Sequence, residues 1–208
     1  MDLTNPPAAT GPTITITDRE TVKLVRWVAS ARADKHDTAR YFLHGIYVEG
    51  FSTPHPAHPD DGPRFIATNG RRLHWAPMVD TTLPTGIKDG CYSIEAESNK
   101  RVLLRLQTGW TFPNYRRVLP DVDHYTCEVV DATVGKTRFT PEGKALAHTK
   151  LIWAVMHTAQ VKINIFYLTP MIGLTWNVRW NPKNTEQAVT FDCPGHHAVI
   201  MPMQQNRP

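Results

Sequence analysis

The chain has 208 residues, enough for one large or two small domains with a real core. Its 41% hydrophobic and 20% charged content is that of an ordinary globular protein, and no apolar run approaches the ~20 residues of a membrane-spanning helix. A net charge of +4 and a pI near 9.0 lean mildly towards a polyanionic partner.

Residues 1–12 are rich in Pro, Thr and Ala and are expected to form a disordered tail. The opening MDLTNPPAATGPT has no basic start and no apolar run, so no signal peptide is expected. Cys91, Cys127 and Cys193 are odd in number, widely spaced and free of any CxxC, which fits reduced thiols and a cytoplasmic location.

Ile14 and Ile16 alternate with Thr and predict a short strand. A helix follows from about Asp18 to Ala33, with Asp18 or Thr17 as N-cap and Glu20 in the first turn. Val22, Val25, Val28 and Ala29 form its apolar stripe, while Arg19, Lys23 and Arg26 share another face. Residues 40–49 read as a strand buried on both faces, and 51–63 as a Pro-rich insertion loop. Residues 64–68 and 71–78 predict a hairpin about Asn69-Gly70, a dipeptide suited to positive φ. A further hairpin, YSIEAE with RVLLRLQ, turns at Ser98-Asn99. The string FPNYRRVLP (112–120) reads as an extended connector, since Pro113 and Pro120 each bias the preceding residue towards extended backbone.

Strands are expected at 125–131 and 136–140, then a helix from Pro141 to about His157 capped by Thr140. Ala145, Leu146, Ile152, Trp153 and Met156 share one face of that helix. Its outward face mixes Lys144, His148 and Lys150 with Leu151 and Val155. Residues 161–168 predict a strand, TPMIG a turn, and 174–180 a half-buried strand with Leu174, Trp176, Val178 and Trp180 alternating inward. Strands at 188–193 and 198–203 complete a second strand–helix–strands run, and 204–208 is a tail.

No catalytic constellation emerges. Gly135-Lys136-Thr137 lacks the earlier glycine of a phosphate-binding loop, because Val130 stands in its place. HExxH and GxSxG are absent. His55, His58, Asp60 and Asp61, and separately Cys193, His196 and His197, are loosely spaced for zinc and read better as a polar loop and a turn. Asp121, Asp123 and His124 read as a polar turn. No cofactor, no metal and no enzymatic activity are expected.

The 112–120 string resembles the connector between the second and third domains of bacterial sliding clamps, the β subunit of DNA polymerase III, usually written FPDYRRVLP; Asn114 departs from it. ARYFLHGIYVEG followed by RFIATNGRRLHWAPM (39–50 and 64–78) is similar to the family's RYYLNG…VATDGHRLA pattern, and VIMPM (199–203) to its closing VVMPM strand. The three stretches occur in family order. The length implies a reduced homologue, such as a phage or mobile element would carry. It resembles the first half of a second clamp domain joined to the last half of a third.

The resemblance implies an α+β, DNA-clamp-like fold of repeated strand–helix–strands units with antiparallel sheets. Residues 13–120 would form an N-terminal half ending in the connector, and 121–203 a C-terminal half. It also implies a DNA polymerase processivity factor, cytoplasmic and homo-oligomeric, with double-stranded DNA, DNA polymerase, other proteins bearing clamp-binding motifs and a clamp loader as partners. A cleft between the halves would hold the motif peptide. Its residues would be Leu43, Thr68, Gly70, Arg71, Arg72 and Leu73, with Pro113 and Val118 from the connector and Val199, Met201, Pro202 and Met203 from the last strand. Arg71 replaces the family's usual His, and Asn69 its Asp. DNA phosphates would meet Arg19, Lys23 and Arg26. The alternative reading is a peptide-binding adaptor or decoy of the same fold that does not encircle DNA.

Overall fold

The computed structural model describes residues 11–50, 62–78, 87–133 and 140–203. The expected tail at 204–208, most of the N-terminal tail and of the 51–63 loop, and the strand expected at 136–140 save its last residue lie outside the described residues. The chain divides into two compact units, Met1–Asn114 and Tyr115–Pro208, and the division falls inside the FPNYRRVLP string.

The first unit opens with strand β1 (Thr13–Ile16) and helix α1 (Arg19–Ala29). Asp18 caps α1: its carboxylate accepts from the Thr21 amide and hydroxyl, each at 2.7 Å. Those bonds hold the Asp18 carboxyl below its usual range, the backbone bond contributing most. Val22, Val25, Val28 and Ala29, the expected stripe, are all buried. A 3-10 helix (Thr38–Leu43) precedes β2 (Ile46–Glu49), β3 (Arg64–Thr68), β4 (Arg72–Pro77), β5 (Gly90–Glu97) and β6 (Val102–Leu106). The strands pair antiparallel in the order β1-β6-β5-β2-β3-β4, with a register shift between Ile94 and Ala96. Helix α1 packs on β3, β4 and β6, and its stripe closes a core with Ile14, Ile16, Phe65, Ala67, Tyr92 and Leu104.

Residues 40–45 correct the sequence reading, which placed them in a strand. Asp37 draws in Arg40 through Nε at 2.8 Å, the His44 amide donates to Tyr41 O, and the chain winds into the 3-10 turn instead. Local side-chain and backbone bonds here compete successfully with a ladder.

The second unit carries a 3-10 turn (Tyr115–Val118), β7 (Thr126–Asp131), α2 (Pro141–Ile152), β8 (Thr175–Trp180), β9 (Val189–Cys193) and β10 (His196–Ile200). Its strands run antiparallel in the order β10-β9-β8-β7. The strand–helix–strands pattern of the first unit is therefore repeated. The connector is not extended throughout, since Tyr115 is buried and the chain coils there. Thr140 Oγ1 accepts from the Gly143 amide at 3.1 Å, and Pro141 occupies the first turn, as expected of this cap. Helix α2 runs on as a π-helix (Trp153–Thr158), shown by Ala159 N donating to Ala154 O at 3.0 Å.

Two further expectations are corrected. Residues 161–164 join no ladder, and Asn164 then accepts from the Phe166 amide at 3.1 Å and starts a 3-10 helix (Ile165–Met171) where a strand was read. On α2 the apolar faces are exchanged. Ala147, Leu151, Ala154 and Val155 are buried, whereas Ala145, Leu146, Trp153 and Met156 are exposed.

Candidate peptide-binding and DNA-contact residues

The turn between β3 and β4 is built by its own side chains. Asn69 Oδ1 accepts from the amides of Arg71 and Arg72, both at 3.0 Å, and Thr68 Oγ1 accepts from Gly70 N at 3.0 Å while donating to Arg72 O at 2.7 Å. Asn therefore serves the turn where the resembling family has Asp. Gly70 sits at φ +82°, the left-handed region, and a Cβ there would lie 3.1 Å from Arg40 Nη1. Arg40 Nη1 in turn donates to Asn69 O at 2.7 Å. Arg71 is exposed, and Arg72 reaches back to donate from Nη2 to Ser30 O at the end of α1. Leu43 and Leu73 are buried in the core of this unit, and Pro113 is exposed.

In the second unit Val199 is buried, but Val118, Met201 and Met203 are 48%, 36% and 53% exposed, and Pro202 is half-buried. The Met203 amide donates to Lys162 O at 2.7 Å, which fixes the chain beyond β10. The apolar residues of the predicted set thus divide. Leu43, Leu73 and Val199 are buried, and Val118, Met201 and Met203 are exposed.

On α1, Lys23 Nζ lies 2.6 Å from Glu20 Oε1, and Arg26 engages Glu97 at 3.2 Å and Asn99. Glu97, at the end of β5, also accepts from Arg32 at 3.2 Å, so this one carboxylate serves two arginines. Arg19 is exposed. A residue that the sequence reading passed over ties α1 to β4. His74 is fully buried, stacked on Trp27 with centroids 4.5 Å apart, and its Nδ1 lies 3.2 Å from Trp27 O. A polar residue within the inward-facing run of β4 was the available signal.

His55, His58, Asp60 and Asp61 lie outside the described residues, and no group of three potential ligands occurs among those described. His197 Nδ1 is 2.8 Å from Asp192 Oδ1 instead, and Asp121 accepts from the Asp123 amide at 3.1 Å. Burial pushes the Cys91 and Cys193 thiols up to about 11, leaving them inert at neutral pH. Cys127 is exposed. Brief iodoacetamide treatment of the native protein at pH 8 is therefore expected to alkylate Cys127 and spare the other two by peptide mass mapping. Equal labelling of all three would contradict the burial.

No helix among the described residues is long and apolar enough to cross a membrane. No family model and no curated protein sequence matches the chain. Solved structures do. The Pseudomonas aeruginosa DNA polymerase sliding clamp with ligand is 17% identical at a TM-score of 0.57, over 99% of this chain and 70% of that one. Caulobacter crescentus pol III beta is 16% identical at 0.57, over 97% and 67%. The DNA polymerase III subunit beta from Borrelia burgdorferi, in complex with a natural product, is 14% identical at 0.56, over 99% and 67%. The chain has the α+β fold of the DNA polymerase III β sliding clamps, at about two thirds of their length.

Proposed function

We propose that the protein is a non-enzymatic DNA processivity factor of the sliding-clamp type, which captures short apolar peptide motifs of DNA polymerases and related partners. The observation that carries this is the clamp fold along 97–99% of the chain. The three motif stretches support the same reading. In this proposal Val118, Met201 and Met203, with Pro202, anchor the peptide's apolar side chains, and Arg71 and Pro113 are the first unit's candidate contacts. Thr68, Gly70 and Arg72 form a turn that a peptide backbone can approach, Leu43 and Leu73 are buried within the first unit, and Val199 is buried within the second. Flexible Met side chains suit varied apolar ligands. Several copies would assemble around duplex DNA with a clamp loader's help, and Arg19, Lys23 and Arg26 would meet phosphates.

The engagement of Lys23 by Glu20 and of Arg26 by Glu97 favours a second reading, a peptide-binding adaptor that does not encircle DNA. Both readings share the peptide site. Fluorescein-labelled C-terminal peptides of DNA polymerases, titrated by anisotropy, are expected to bind saturably. Met201→Ala should weaken binding about tenfold, and Lys100→Ala should leave it unchanged. Leu73→Ala is a poor probe, since emptying a buried leucine site costs about 2–5 kcal/mol of fold stability. Absence of saturable binding across the panel would remove the peptide site from the proposal.

A further inference from the structure

In the first unit β5 outruns one of its two neighbours. Strand β6 pairs with it from Tyr92 to Glu97, whereas β2 meets it only from Gly90 to Tyr92, where Ile46 stands opposite. Upstream of Ile46 the chain has already turned away into the 3-10 helix that His44 ends. Beside residues 93–97 of β5 no strand therefore stands on the β2 side.

The ladder shows what this leaves open. The Gln107 amide donates to Cys91 O at 2.8 Å, so Cys91 and, two residues on, Ser93 turn their N–H and C=O groups towards β6. Tyr92 and Ile94 turn theirs the other way. Tyr92 meets Ile46 there, and Ile94 has no ladder partner. The space beside it is a cleft of about 890 Å³. Ser93, Ile94 and Glu95 line it from β5, and Arg32, Ala33 and Lys35 from the segment after α1. An unpaired N–H and C=O on a strand edge is matched best by another extended main chain, as when a peptide adds a strand to a sheet.

The charge around the cleft narrows the choice of peptide. Asp34 and Glu95 are engaged: Asp34 Oδ1 accepts from the His36 amide at 2.9 Å, and Glu95 Oε1 accepts from the Ser93 hydroxyl at 2.6 Å, with Arg105 Nε at 3.7 Å. Arg32 shares the Glu97 carboxylate with Arg26, and no carboxylate among the described residues pairs with Lys35. Arg32 donates from Nε to Ala29 O and from Nη2 to Glu97, which leaves Nη1 without a partner among the described residues. Burial lowers the Arg32 pKa, and Glu97 offsets only part of that. The cations Arg26, Arg32, Lys35 and Arg105 thus stand against three carboxylates, Asp34, Glu95 and Glu97.

We propose that this cleft takes an extended peptide segment of a partner protein, added as a strand beside β5 and carrying a carboxylate that Arg32 and Lys35 receive. The site goes beyond the peptide site proposed above, none of whose residues lines this cleft. Main-chain bonds supply most of the recognition, so the acidic position should be the chief sequence requirement.

The test titrates the fluorescein-labelled peptide TVTDTVT with the full chain, followed by anisotropy, and saturation is expected below about 1 mM. Amide hydrogen exchange read by NMR should show Ile94 slowed at least about tenfold at saturation. The fully N-methylated peptide should not bind, because it cannot complete a ladder. TVTNTVT should bind about fivefold more weakly, and Lys35→Glu should weaken TVTDTVT about tenfold while strengthening TVTKTVT. Lys35 is exposed, so the melting temperature of that variant should match the parent's. Met201→Ala should leave TVTDTVT binding unchanged, which separates this cleft from the peptide site of the second unit. No saturable binding, equal binding of the N-methylated peptide or by Lys35→Glu, or protection confined to the outer edge of β1 or β7 would overturn the proposal. Ile94 protection already present in the free chain, and lost on deleting residues 1–10 or on dilution to the mass of one chain, would place the chain's own segment or a second copy there and overturn it too.

Discussion

Trp176→Ala is expected to destabilise the second unit by about 3–5 kcal/mol. Trp176 lies on β8 opposite Val130 of β7 and is fully buried. Its ring meets Phe191 edge-on at 6.2 Å and His196 at 6.4 Å, so it links β8 to the two strands that follow. Its indole N–H donates to Met171 O at 2.7 Å, which ends the 3-10 helix against the sheet. Truncation would leave a cavity and also a buried carbonyl without its donor, and the two costs add. Urea and thermal unfolding followed by circular dichroism should show the transition lowered by about 10 °C or more. Trp176→Phe should recover part of the packing and none of the hydrogen bond. A loss below about 1 kcal/mol for the alanine variant would mean that the strands are held by other contacts.

Reversing Arg19, Lys23 and Arg26 to Glu is expected to abolish duplex binding. The change takes the net charge from +4 to −2 per chain. Three phosphate contacts per chain correspond to a log–log salt slope of about −2.7, so parental binding should fall steeply with ionic strength. The ion pairs complicate the interpretation in a definable way. Arg26→Glu would set two carboxylates together at Glu97, where Arg26 and Arg32 now converge, and could loosen α1 from the β5–β6 turn. The double variant Arg19→Ala, Lys23→Ala leaves that cluster in place and removes two cations. It should weaken binding and reduce the slope by about two, with an unchanged melting temperature. Duplex binding by a folded triple variant equal to that of the parent would favour the adaptor reading.

The amino-acid sequence determined those elements in which a single period dominates. Val22, Val25, Val28 and Ala29 lie at helical spacing and face the core of α1 as read. Trp176, Val178 and Trp180 alternate with polar residues and are all buried on β8. Asn69-Gly70 marks its hairpin because few residues tolerate φ +82°, and Thr140-Pro141 marks the start of α2 because cap chemistry is local. The clamp fold was legible from three short stretches in the right order.

Tertiary structure decided what local pattern leaves open. Apolar residues run around most of α2, so periodicity offers two faces. The small Ala147 and Ala154, with Leu151 and Val155, were the ones buried, and Trp153 was left outside. Residues 40–45 and 161–168 have strand-like composition, but a strand needs a partner. The Asp37–Arg40 pair and the Asn164 cap turn the chain first. The same distinction runs through the candidate site. Sequence named Leu43, Leu73, Val199 and Met201 as one apolar set, and only packing separated the buried three from the accessible methionine. Likewise the three cations of α1 share a face by helical spacing, while the pairing of Arg26 with Glu97, far along the chain, is set only by the fold. Spacing sets direction along an element; the density of neighbours, which comes from distant residues, sets burial and charge.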